Sequence, residues 1–169
     1  AAYLWVRTVP CPNPACAAVV PMLSNAWLRR RRGSQAWLRP RWDAGRGLGF
    51  DVVEDGDAPA RTARGAVFSC VACGTPTAAD GVKGVARAEG LGRALRCVVA
   101  DVAARRPFLT PPEAAVSPPV PADADAAVLE DLDLDLDPRV TNATTYGVGT
   151  VGELHLPRQR AALAEFAAA

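Results

Sequence analysis

The chain has 169 residues, of which 50% are hydrophobic and 22% charged, so it can bury a modest core and is not polar enough for wholesale disorder. No apolar run approaches the length that spans a bilayer, and no charged-then-apolar leader precedes a cleavage site, so we expect a soluble cytoplasmic protein with no membrane partner. The net charge of +1 conceals two opposite parts, because residues 1–110 hold 16 basic and 8 acidic side chains whereas residues 111–169 hold 3 and 10.

Residues 1–110 consist of short apolar or alternating segments separated by Gly, Pro and Asp, which is typical of small antiparallel β structure. We therefore predict a mainly β domain over residues 1–110, a Pro- and Asp-rich linker over residues 111–137 and a C-terminal segment over residues 138–169. The predicted strands are 3–9, 18–23, 36–43, 50–54, 66–69 and 94–102, with a turn at 103–105 leading into 107–110.

The C-terminal third of the chain is expected to fold less independently. Residues 131–137 alternate Asp and Leu, and four neighbouring carboxylates favour an edge or solvent-facing segment. Pro157 begins a helical pattern in which Leu163 and Phe166 are the larger apolar side chains, and so short a helix needs a partner surface. Because the chain opens within a predicted strand and closes in this pattern, we expect it to be a fragment of a longer protein.

Four of the five cysteines lie in two close pairs, with the spacings C-x4-C and C-x2-C. A tetrahedral zinc ion takes four soft ligands at about 2.3 Å, and two tight turns that each present two thiolates can supply that geometry. Gly74 directly follows the second pair and can adopt the positive φ that turns the chain back beneath the sulfurs. The pattern predicts a zinc ribbon with two knuckles and a structural Zn²⁺, held by Cys11, Cys16, Cys70 and Cys73.

Two other interpretations of these cysteines stay open, although zinc is favoured. Disulfides require an oxidising compartment, and neither a leader nor an even cysteine count indicates one. An iron site of rubredoxin type, which would make the chain an electron carrier, usually lies between two C-x2-C loops, and the first loop here is longer. The fifth cysteine, Cys97, lies in an apolar segment and is predicted to be a small buried hydrophobic residue.

The densest basic stretch covers residues 27–42, with a turn predicted at Gly33 and Ser34. Guanidinium groups pair with phosphates and Trp offers a stacking surface, so electrostatic, sequence-tolerant contact with nucleic acid is the functional interpretation. The alternative is a solvated hairpin whose Trp side chains pack inward. The candidate nucleic-acid residues are Arg29, Arg30, Arg31, Arg32, Arg39 and Arg41.

No group of residues forms a convincing catalytic centre. His155 is the only histidine, and beside a helix start it is more often a surface or capping residue than a general base. The glycines at 45–49 and 90–92 do not lie between a strand and a helix, so no nucleotide-binding loop is predicted. We expect the chain by itself to be catalytically silent.

Several segments occur in a recognisable order: 3–16, 21–23, 27–28, 70–74, 87–95, 146–147, 152–154 and 157–159. In this order they resemble the middle section of adenine-specific DNA methylases that carry a zinc-ribbon insertion. The resemblance extends over most of the chain and is strongest at both cysteine turns, at 87–95 and at 146–159.

The resemblance implies that the ribbon interrupts an S-adenosylmethionine-dependent, Rossmann-like domain that methylates adenine N6 in DNA, with base flipping. The four cysteines match the family's metal positions. The family's Gly-rich cofactor loop and its Asp-Pro-Pro-Tyr motif are absent from this sequence, so no cofactor-binding or catalytic residue carries over. The resemblance also implies that residues 138–169 are the segment and helix that re-enter the methyltransferase core. The expected partners are DNA and the remainder of that domain. The alternative is a stand-alone zinc-ribbon module that binds nucleic acid or protein.

Overall fold

The computed structural model describes residues 1–54, 56, 63–64, 67–103, 105–111, 132–134 and 142–168. This part of the chain is mainly β, with two cysteine-bearing turns and a C-terminal helix, which confirms the predicted fold class. The strands are β1 (Ala2–Pro10), β2 (Val19–Pro21), β3 (Trp27–Arg31), β4 (Ser34–Asp43), β5 (Gly47–Glu54), β6 (Ala63–Arg64), β7 (Val67–Ser69), β8 (Pro76–Thr77), β9 (Gly92–Val99) and β10 (Phe108–Leu109). The helices are α1 (Ala79–Glu89), a 3₁₀-helix (Ala143–Tyr146), α2 (Val151–Leu154) and α3 (Pro157–Ala168).

The chain divides into two compact units. The first comprises Ala1–Val85 and Leu91–Ala115, and the second comprises Ala86–Gly90 and Val116–Ala169. The predicted linker over residues 111–137 lies outside the described residues except at 111 and 132–134, so its boundaries stay predictions. None of the helices in the described part of the chain is both long and apolar enough to cross a membrane.

The described residues of the first unit form three antiparallel sheets, with strand orders β10-β9-β1-β2, β3-β4-β5 and β6-β7-β8. One core lies between the first two sheets, because alternate residues of each sheet face the other sheet. Cys97 is fully buried there, as predicted for a small hydrophobic residue. The buried members of this core are Val6, Leu23, Ala26, Leu38, Phe50 and Cys97.

The predicted strands are all found, with ends that shift by a few residues. Strand β3 and the short strands β6 and β8 were not among them, although the basic stretch was expected to form a hairpin. Helix α1 was missed as well. Gly81 and Gly84 weaken its helical propensity, while burial of Val82 and Ala86 on one face stabilises it. The helix ends at Glu89, and the next residue, Gly90, takes φ +78° and donates its N–H to the Ala86 carbonyl.

The second unit is built on local hydrogen bonds at helix ends. Thr150 and Glu153 form a capping box at the start of α2. His155 ends α2, with Nδ1 2.9 Å from the Val151 carbonyl oxygen, which fits the capping interpretation of this histidine. Helix α3 begins at Pro157 as predicted, and Phe166 on it is 82% exposed. Of the alternating segment 131–137 only 132–134 is described, where Asp133 forms an antiparallel bridge with Thr150.

Gly92 occupies a position that has no room for a larger residue. A Cβ atom there would lie 2.5 Å from Oγ1 of Thr8, its buried cross-strand partner. Gly92→Ala is therefore expected to lower the free energy of unfolding by about 1–3 kcal/mol. Urea titration followed by Trp fluorescence measures this. All four Trp residues lie in the first unit, so their fluorescence reports the unfolding of that unit.

Gly84 provides the matched control for this substitution. It lies within helix α1, and a Cβ atom there would meet nothing within 4 Å. Gly84→Ala is expected to raise the free energy of unfolding by about 0.5–1 kcal/mol, because Ala has the higher helix propensity. Equal destabilisation by both substitutions would contradict the assigned close approach between Gly92 and Thr8.

Candidate metal centre

The structure brings together the four cysteines of the two predicted knuckles. Their Sγ atoms all lie within 4.8 Å of one another, with Cys11 and Cys73 3.6 Å apart and Cys16 and Cys70 3.9 Å apart. A tetrahedral ion with metal–sulfur bonds of about 2.3 Å requires sulfurs about 3.8 Å apart. All five cysteines are free thiols. The four sulfurs therefore fit a single tetrahedral metal ion.

The first knuckle is the loop of the β1–β2 hairpin. Pro10 pairs with Val19, and the Cys11 N–H donates to the Ala18 carbonyl at 2.9 Å, so the ladder continues to the first ligand. Asn13 shapes the turn, because its side-chain oxygen accepts from the Ala15 N–H and its carbonyl accepts from the Cys16 N–H. This turn holds both thiols on the same side of the hairpin.

The second knuckle is the loop of the β7–β8 hairpin. The Cys70 N–H donates to the Thr75 carbonyl, and the Gly74 N–H donates to the Cys70 carbonyl, both at 2.9 Å. Gly74 takes φ +76°, as expected for the residue that turns the chain beneath the sulfurs. Strands β2 and β7 are in contact, which places the two hairpin loops side by side. The two cysteine pairs, separated by residues 17–69, thereby reach one site.

The four thiols differ in burial and in acidity. Cys70 is buried, Cys11 and Cys16 are half-buried, and Cys73 is exposed. Desolvation raises the pKa of Cys11 to about 12, whereas hydrogen bonds with the side chain and backbone of Thr75 lower the pKa of Cys73 to about 6. A bound cation must displace protons from the less acidic thiols, so metal uptake is expected to release protons and to weaken as the pH falls.

Thr75 is expected to control the reactivity of Cys73 in the metal-free protein. Its Oγ1 lies 3.1 Å from the Cys73 Sγ, and a hydroxyl donor stabilises a thiolate. At pH 7, above the lowered pKa, Cys73 is mostly thiolate and should be the first of the four cysteines alkylated by iodoacetamide. Thr75→Val raises this pKa and should slow alkylation at pH 7 by about threefold or more, measured by peptide mass spectrometry. An unchanged rate would show that the hydroxyl does not act on Cys73.

The six predicted nucleic-acid arginines lie on the β3–β4 hairpin, whose turn contains Gly33 with φ +72°. Two of them are ion-paired: Arg29 lies 3.6 Å from Glu54, and the Arg41 Nε donates to Asp51 at 3.1 Å. The other four, which have exposed side chains, are Arg30, Arg31, Arg32 and Arg39. The structure thus divides the predicted set into two neutralised and four exposed arginines.

Two residues that shape these sites were not assigned these roles from the sequence. Thr75 follows the second cysteine pair by two positions. Its Oγ1 lies 3.1 Å from the Cys73 Sγ, within hydrogen-bond distance of this metal-ligand candidate. Gly49 lies opposite Arg41, where a Cβ atom would be 2.9 Å from the guanidinium carbon. The position of Thr75 two residues after Cys73 is a weak signal for its role. No sequence pattern indicates the role of Gly49.

Comparisons with models of protein families, with curated protein sequences and with solved structures each found no match. The chemistry of the cysteine centre and of the basic hairpin is therefore what the molecule itself offers toward a function.

Proposed function

We propose that the chain is the zinc-ribbon segment of a cytoplasmic, S-adenosylmethionine-dependent DNA adenine N6-methyltransferase, and that its basic hairpin contacts DNA. The observation that carries the metal part of this proposal is the convergence of four Sγ atoms within 4.8 Å. The enzymatic part is supported by the ordered segments that resemble adenine-specific DNA methylases. In this proposal the metal is structural and the catalytic groups belong to the remainder of the enzyme.

The identity of the metal as zinc is supported by the ligand set. Four thiolates in a tetrahedron select zinc or iron over harder cations. The C-x4-C loop departs from the paired C-x2-C loops usual for a lone iron, which favours zinc. Free thiols at this density favour a reducing compartment, in keeping with the cytoplasm. Elemental analysis of purified protein should give one zinc per chain, and a coloured protein holding iron in place of zinc would contradict the assignment.

DNA contact is supported by the exposed arginines of the β3–β4 hairpin. Arginine pairs bidentately with phosphate, and an electrostatic contact of this kind weakens as salt rises. The wild-type, metal-loaded chain should bind a mixed-sequence DNA duplex at 0.05 M NaCl and release it progressively as the salt concentration rises. Absence of binding to the duplex at low salt would contradict this part of the proposal.

The methyltransferase assignment has its own experiment. The coding sequence on either side of the chain should encode a Gly-rich cofactor loop upstream and an Asp-Pro-Pro-Tyr motif downstream. The complete protein should transfer a labelled methyl group from S-adenosylmethionine to DNA, and N6-methyladenine should be found among the digested nucleosides. A protein that has neither motif would contradict the assignment and leave the metal centre unaffected.

The second candidate function is a self-sufficient binding module for nucleic acid or protein. The observation that favours it is the compactness of the first unit, which holds both cysteine knuckles and its own core. The two candidates differ in whether the complete protein transfers a methyl group to DNA. Transfer supports the methyltransferase, whereas DNA binding without transfer supports the binding module.

A further inference from the structure

The sheet β3-β4-β5 has one face on the core and one face turned away from it. Leu38 on β4 and Phe50 on β5 are core residues, so the residues at odd numbers on β4 lie on the opposite side. We call this side the outer face. It carries Trp27, Arg30, Gln35, Trp37, Arg39 and Arg41, together with Gly49, Asp51 and Val53 of β5. Trp37 is buried on this face.

A register shift in β3 decides which side chains reach the outer face. Trp27 pairs with Trp37 and Arg29 pairs with Ala36, so β3 has one extra residue between these pairs. In a regular strand Trp27 and Arg30 would point to opposite sides, because they are three positions apart. The bulge places both on the outer face, and Leu28 packs against the core.

The outer face carries two arginines that are stacked on the two tryptophans. The guanidinium carbon of Arg30 lies 5.3 Å from the ring centre of Trp27, and that of Arg39 lies 5.2 Å from the ring centre of Trp37. Stacking orders a guanidinium by one of its faces and leaves its N–H groups available in the plane. Both arginines are exposed, and neither has a carboxylate partner among the described residues.

Two other arginines of this sheet are paired with carboxylates, whereas Arg31 and Arg32 lie exposed at the turn of the β3–β4 hairpin. Arg41 lies on the outer face, but its Nε donates to Asp51. Arg29 pairs with Ala36 and so belongs to the core side, where it contacts Glu54 and lies over the ring of Phe108. The net positive charge of the outer face is therefore concentrated on Arg30 and Arg39.

We propose that the outer face binds the phosphate backbone of duplex DNA through Arg30 and Arg39, with Trp27 and Trp37 as the platforms that hold the two guanidinium groups. This inference rests on the proposed DNA contact and specifies which arginines make it. Because each tryptophan ring is covered by an arginine, phosphate pairing takes precedence over base stacking on this face. Binding is then sequence-tolerant, and about two phosphates are neutralised by the outer face.

The test compares salt dependence between charge-matched variants of the metal-loaded chain. Binding to a mixed-sequence 20-base-pair duplex is followed by fluorescence anisotropy from 0.05 to 0.3 M NaCl. Arg30→Ser combined with Arg39→Ser should weaken binding by about tenfold at 0.1 M and reduce the slope of log K against log salt by about 1.8. Arg30→Lys combined with Arg39→Lys should keep the slope and weaken binding by about threefold, because lysine keeps the charge and lacks the stacked plane.

The control removes the same charge from two exposed arginines elsewhere in the first unit, Arg105→Ser with Arg106→Ser. It should change the slope by less than about 0.5. Wild-type binding with a full slope in the Arg30/Arg39 serine variant, or an equal loss in the control, overturns this inference alone. A wild-type chain that leaves the duplex free but captures an acidic polypeptide overturns both this inference and the proposed DNA contact.

Discussion

Cys70→Ser is expected to remove the bound metal and to lower the free energy of unfolding by more than about 4 kcal/mol. Cys70 is the most buried of the four clustered cysteines, and it belongs to the turn that holds β7 and β8 together. Loss of one thiolate leaves three ligands, and the energy of a structural metal is folding energy. Metal analysis and urea unfolding of the purified variant measure the two effects.

Cys97→Ala is the matched control for the loss of a metal ligand. Cys97 is as buried as Cys70 but lies in the core between the sheets, outside the cluster of four sulfurs. This variant should keep one metal ion per chain and lose about 1 kcal/mol, since only one buried sulfur atom is removed. Equal metal loss in both variants would show that the assignment of the four ligands is wrong.

Leu38→Ala is expected to lower the free energy of unfolding by about 3–5 kcal/mol. Leu38 is 1% exposed and lies in the core with Phe50 and Val6, so its truncation removes buried apolar area and leaves a cavity. Leu109→Ala makes the same chemical change at a side chain in the same unit that is 45% exposed, and should cost about 1 kcal/mol or less. Similar losses from the two substitutions would contradict the assigned core.

The metal centre could be predicted from the sequence because its geometry is local. Each cysteine pair lies within one hairpin loop, and turn-forming residues such as Gly74 accompany it. The contact between the two loops depends on the fold of the whole first unit. The preference of a metal for four thiolates nevertheless predicted that the two cysteine pairs would meet at one site. The burial of Cys97 could also be predicted locally, from the apolar residues beside it in the chain.

Other features depended on contacts between distant residues, and the sequence did not predict them. Helix α1 was missed because Gly81 and Gly84 lower its propensity, and only tertiary burial of one face offsets that effect. The bulge in β3 could not be predicted from the sequence, because one extra residue in a strand leaves no characteristic residue type or spacing. The ion pair of Arg29 with Glu54 joins β3 to the far end of β5, which spacing along the chain does not reveal.

The position of the metal centre in the chain has a consequence for how the hairpin sheet is tethered. Cys16 and Cys70 are 54 positions apart, so an ion that joins the two knuckles closes β3, β4 and β5 into a loop. Such a closure restricts the unfolded chain by about 4 kcal/mol when treated like a covalent cross-link. Because this entropy grows only with the logarithm of loop length, doubling the loop would alter it by only about 0.6 kcal/mol. Insertions in the turn at Arg32 and Gly33 should therefore have little effect on the cross-link. The β3–β4 hairpin can vary in length while both knuckles stay unchanged.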